Sequence, residues 1–73
     1  SSMSAPANDV AAAVALQQAG RLREAEEIYR RVLASDPHNA DAMHLFGVLL
    51  LQIGKADAAI DVIRKALLVN AHK

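Results

Sequence analysis

Residues 40–66 read ADAMHLFGVLLLQIGKADAAIDVIRKA, and the spacing of small and bulky groups among them decides the fold. The small residues Gly47, Gly54, Ala59 and Ala66 are set among Leu45, Phe46, Leu50, Leu51, Ile53, Ile60 and Ile63, with Leu67 just beyond. Apolar groups recurring at three- and four-residue steps mark helices. Gly54 divides the run in two, because glycine reaches the left-handed backbone that closes a helix. The stretch predicts a helix hairpin whose arms approach closely at the small residues and bury the large ones between them and a neighbour.

A fainter copy lies 34 residues upstream, where Gly20, Arg21, Ala25 and Leu33 stand at the places of Gly54, Lys55, Ala59 and Leu67. An all-helical pattern of that period resembles the tetratricopeptide repeat family. The resemblance covers about Pro6 to Ala71. In the second repeat Gly47 matches the close helix crossing, Gly54 the interhelical turn, and Ala59 and Ala66 the small positions of the second helix. In the first, Ala13, Gly20, Ala25, Tyr29 and the closing Asp36-Pro37 do the same. Met43 stands where the family often has an aromatic, Val32 where it prefers alanine, and Ala71 where the second repeat should end in proline. That missing proline suggests a cut edge of a longer array. The fold so implied is all-α: two tandem helix-turn-helix repeats, four antiparallel helices forming a short α-solenoid segment.

A chain of 73 residues makes one small domain. Chains of this size bury only about 60% of the surface they expose when unfolded, so a lone core is marginal. No cysteine is present, which removes disulfides and thiolate metal sites. Lysine plus arginine and aspartate plus glutamate number 8 each, so no net field draws nucleic acid or an anionic membrane. One phenylalanine, one tyrosine and no tryptophan make a poor base-stacking surface. The uncharged run from Ala42 to Gly54 is 13 residues, too short to span a bilayer. The opening SSMSAPA lacks the pattern of a signal peptide, and a cytoplasmic location is the default expectation.

Taken in order, residues 1–7 are expected to be an irregular start, with Ser1, Ser2 and Met3 an expression scar. The first repeat occupies residues 8–36, with helices over about 8–19 and 22–35. Asn8 or Asp9 is the expected cap of the first helix, since either side chain accepts from its orphan amides. The second helix sets Leu22, Ala25, Ile28, Tyr29, Val32 and Leu33 on one face. On its other face Glu26 with Arg30 and Glu27 with Arg31 are four apart in the favourable order, each pair worth about 0.3 to 0.5 kcal/mol.

Asp36-Pro37 ends that helix, because proline lacks an amide and disfavours helical backbone before it. The second repeat follows over residues 37–70, with helices over about 39–53, capped by Asn39, and about 56–70. Residues 71–73 are a tail. The fourth helix is expected to turn Ala59, Ile60, Ile63, Ala66, Leu67 and Leu68 inward and Asp57, Asp61, Arg64 and Lys65 outward.

No catalytic or metal-ligating pattern stands out. His38 and His44 are six apart, not at the spacing that sets two ligands on one helix face, and no HExxH occurs. Ser35, Asp36 and His38 have the letters of nucleophilic chemistry but sit in a turn the repeat explains, without a GxSxG. The three glycines are too dispersed for a phosphate loop. No enzymatic activity and no cofactor are expected.

The resemblance implies a concave groove lined by the first helix of each repeat. Carried over residue by residue, its positions are Ala7, Val10, Val14, Gln17 and Gln18, then Asp41, His44, Val48, Leu51 and Gln52. Family members that grip a C-terminal carboxylate use lysine and asparagine at positions that here are Val10, Val14, His44 and Val48, so that clamp is absent. A backbone-holding asparagine ladder would need asparagine at Ala11 and Leu45. What remains is an apolar groove for an extended or helical protein segment, with Gln17, Gln18 and Gln52 free to bond its amides.

The fourth helix carries a second candidate surface, Ile60, Ile63, Leu67 and Leu68, as a possible self-association edge. Terminal repeats of such arrays normally turn a polar face outward. About 300 to 400 Å² of open apolar surface there would repay covering by several kcal/mol before association costs. The leading expectation is a non-catalytic scaffold that binds a protein or peptide partner, with no nucleic acid and no membrane insertion. The alternatives are an edge of a longer array, a homodimeric unit, or an accessory arm of a larger enzyme such as a glycosyltransferase or methyltransferase.

Overall fold

Four helices in chain order, α1 (Pro6–Gln18), α2 (Leu22–Ser35), α3 (Ala40–Gln52) and α4 (Ala56–Ala71), form two hairpins stacked in tandem. This computed structural model describes the backbone of residues 6–71 and the side chains of 8–71. The expected scar at Ser1, Ser2 and Met3, the Ala7 side chain and the tail beyond Ala71 lie outside the described residues.

The two hairpins close in the same way. Gly20 and Gly54 have φ of 82° and 83°, the left-handed region that costs a residue with a Cβ. After Gly20, the Arg21 amide donates to the Leu16 carbonyl at 2.9 Å and the Gly20 amide to Gln17 at 3.1 Å. After Gly54, the Lys55 amide donates to Leu50 at 2.8 Å and the Gly54 amide to Leu51 at 3.1 Å. These paired bonds satisfy carbonyls that a helix end leaves open.

Between the hairpins, the Asn39 side chain accepts from the Ala42 amide at 3.0 Å and so caps α3. The start of α1 differs from the expectation. Asn8 and Asp9 lie within α1 (Pro6–Gln18) and so do not cap it.

Hairpin packing follows the small residues. Ala13 and Ala25 in the first repeat and Ala59 in the second are fully buried, which lets backbones approach. Gly47 is the tightest of the three glycines. A Cβ built on it would stand 2.5 Å from Cγ1 and 2.9 Å from Cδ1 of Ile63. α3 is the hub: it packs mainly on α4, then on α2, and lightly on α1, while among the described helices α4 packs on α3 alone. That role explains why α3 is apolar nearly all round.

The core joins Ala13, Ala25, Tyr29, Phe46, Leu49, Leu50 and Ala59 across both repeats. The Tyr29 and Phe46 rings meet at 6.0 Å between centroids, tilted by 34°. On α4, Ala59 and Ala66 are buried and Ile63 half-buried as the pattern requires, but Ile60, Leu67 and Leu68 are exposed. Val62 takes a place on the core in their stead. Asp57, Asp61, Arg64 and Lys65 are exposed.

The charged face of α2 is less uniform than its spacing suggests. Glu26 pairs with Arg30 at 2.8 Å and also reaches Lys55 at 3.6 Å, tying α2 to the turn before α4. Arg30 in addition lies 5.1 Å from the Phe46 ring centroid, a cation-π contact. The expected Glu27 to Arg31 pair is not among the ion pairs of the described residues; Arg21 instead forks onto Glu24 at 2.7 and 2.9 Å.

Candidate functional site

Spacing along α1 puts Val10, Val14 and Gln17 on one stripe, and all three are half-buried, while Gln18 beside them is exposed. On α3 the matching stripe is Asp41, His44, Val48, Leu51 and Gln52, every one exposed. It is the face left over when Ala42, Met43, Phe46, Leu49 and Leu50 turn inward. Helical periodicity alone sets this division.

The structure brings members of the two stripes together at both ends. At one end Val10 shares a shallow cavity of about 370 Å³ with Asp41 and His44. At the other the Gln17 amide nitrogen donates to the Gln52 side-chain oxygen. Val48 and Leu51 lie between these ends along α3 and are 37% and 52% exposed.

Gln17 is not free in the way its position suggests. Its oxygen accepts from the Tyr29 hydroxyl at 2.8 Å while its nitrogen is committed to Gln52. Tyr29 is wholly buried, and burial pushes its phenol up from the ordinary value, so the hydroxyl stays a neutral donor. The result is a chain of bonds from core to surface: Tyr29 on α2 holds Gln17 on α1, which holds Gln52 on α3. No spacing in the sequence links Tyr29 to Gln17, since the contact arises only when the first hairpin closes.

The cavity at the Asp41 end continues toward α4, where Ile63, Leu67 and Asn70 form its far wall. Sequence reading separated the groove from the α4 edge; geometrically they share this cavity. Leu45 and Asn70, which line it, were not among the candidate residues. Each of the five exposed large hydrophobic residues among those described, Val48, Leu51, Ile60, Leu67 and Leu68, belongs to the second hairpin.

The turn at residues 35–38 forms no nucleophilic arrangement. The Ser35 hydroxyl donates back to the Val32 carbonyl at 3.1 Å, and His38 is exposed. Among the described residues no group of three or more histidine, cysteine, aspartate or glutamate side chains is placed to hold a metal ion. None of the described helices is long and apolar enough to cross a membrane.

A family model described as tetratricopeptide repeat matches residues 16–72, from the last turn of α1 past the end of α4. The chain belongs to the tetratricopeptide repeat family. Tetratricopeptide repeats are protein-interaction modules in general. Searches of the curated proteins and of the solved structures gave no match. Val32 and Met43, which depart from the residues usual in tetratricopeptide repeats, are both buried.

Proposed function

We propose that the chain is a non-catalytic binding module whose α1 and α3 stripes take a segment of a partner protein. The observation that supports this reading is the meeting of the two stripes, Val10 with Asp41 and His44 at one end and Gln17 with Gln52 at the other. Between them, Val48 and Leu51 are too exposed to serve chiefly as packing. An apolar strip bounded by an acid and an imidazole at one end and amides at the other suits an amphipathic or extended segment. Gln18 and the Gln52 amide nitrogen are open to such a segment, since Gln17 and the Gln52 oxygen are engaged within the chain.

The test is selection of peptides from a displayed library on the wild-type chain, followed by titration of the selected peptides against the variant Val48→Glu, Leu51→Glu. Loss of binding by tenfold or more with an unchanged helical spectrum is the expected result. Equal binding by the variant would remove the groove from the proposal. A second reading, an edge of a longer array or a self-associating unit, draws support from the exposure of Ile60, Leu67 and Leu68. An arm of a larger enzyme, such as a glycosyltransferase or methyltransferase, rests on family resemblance alone.

A further inference from the structure

We infer that the exposed face of α4 pairs with the same face of a second copy, antiparallel, across a twofold axis between Ile63 and Arg64. The inference rests on the self-association reading and gives it a geometry. Two independent observations carry it, one apolar and one electrostatic.

The apolar observation is that among the described helices α4 packs on α3 alone and leaves Ile60, Leu67 and Leu68 at 48%, 63% and 61% exposure. Separations of seven and eight residues set these three on one side of the helix. The electrostatic observation is the order of charge along that side. Asp57 and Asp61 precede Arg64 and Lys65, and among the described residues none of the four forms an ion pair. Asp61 and Lys65 have the same four-residue spacing and order as Glu26 and Arg30, which do pair. The α4 charges are therefore unspent within the chain.

A face with acids in its first half and bases in its second is self-complementary only when two copies run in opposite directions. A twofold contact demands that property, since residue i meets j and j meets i. With the axis between Ile63 and Arg64, Ile60 of one copy is level with Leu67 of the other. Asp61 then stands within about 3 Å, along the helix axis, of both Arg64 and Lys65 of the other copy, given a rise of about 1.5 Å per residue. Parallel pairing would instead set Asp61 against Asp61 and align the helix dipoles unfavourably. A formal net charge of zero adds no long-range repulsion between copies.

The experiment is light scattering of the wild-type chain over a hundredfold concentration range, beside two variants, Asp61→Lys and Arg64→Glu/Lys65→Glu. The wild-type mass should rise twofold with concentration. Each variant alone should remain monomeric where the wild type is dimeric, and their equimolar mixture should recover the dimer. Leu68→Glu should be monomeric with an unchanged helical spectrum. A wild-type chain that stays monomeric throughout would overturn both the inference and the self-association reading. A dimer that survives Leu68→Glu, or a mixture that fails to recover it, would overturn the α4 geometry alone.

Discussion

Ile63 rests directly on the α carbon of Gly47, so close that a single added methyl would overlap its side chain. This contact fixes how α4 lies on α3. Gly47→Ala should destabilise the chain by about 1 to 3 kcal/mol, because Ile63 is β-branched and stiff. Paired with Ile63→Ala, the loss should fall well short of the sum of the single changes. Urea melts of the four chains measure it; strict additivity would mean that the contact carries no strain. Ala59→Leu, fully buried at the same crossing, should cost a similar amount.

Glu26 gives a pH dependence of known sign. Its hydrogen bond from Arg30 is the main influence; with the charge of nearby Lys55 it outweighs burial and holds the carboxyl below its ordinary 4.5. A carboxylate depressed in the folded state contributes stability above its unfolded value and loses it as pH falls through the folded one. Glu26→Gln should therefore be less stable than wild type at neutral pH, by up to about 1 kcal/mol for a largely surface network. The gap should close as the pH drops below 4.5, followed by urea midpoints at stepped pH. A gap independent of pH would assign the loss to packing.

The three-residue hydrogen-bond chain should respond unequally to deletion at its two ends. Gln17→Ala strands the hydroxyl of a fully buried Tyr29, a cost of about 1 to 3 kcal/mol. Gln52→Ala removes an exposed end and should stay within about 0.5 kcal/mol. Thermal melts of the two variants give the comparison, and equal losses would break the proposed order.

Gly54 has open space where a Cβ would go, so only its backbone opposes substitution. Gly54→Ala should cost about 1 to 2 kcal/mol from the left-handed φ alone. Gly54→Asn should recover part of it, because asparagine tolerates that region better. Calorimetry distinguishes the two.

The fold was legible because its determinants are local. Gly20 and Gly54 end helices by backbone freedom, Asn39 caps one with its own side chain, and the 34-residue echo orders the hairpins. What escaped reading depends on closure. The bond of Tyr29 to Gln17 and the ion pair of Glu26 with Lys55 join positions that no helical period relates. Val62 rather than Ile60 faces the core because it lies three residues after the buried Ala59 and four before the buried Ala66, on the same stripe of α4, while Ile60 falls outside that stripe. In α1, Asn8 and Asp9, whose chemistry suggested a cap, lie within the helix.

Nearly all packing in this chain is between helices adjacent in sequence, with α1 on α3 the light exception. Such neighbours need only short loops to find each other, so little chain entropy is lost before each contact forms. Chains of this kind fold on the microsecond to millisecond scale. Either hairpin, once closed, offers α2 or α3 as a template on which the other condenses. The hairpins join at the α2 and α3 seam, where Phe46 meets Tyr29 and Arg30, so a slow step introduced there should delay their docking and leave closure of each hairpin unchanged.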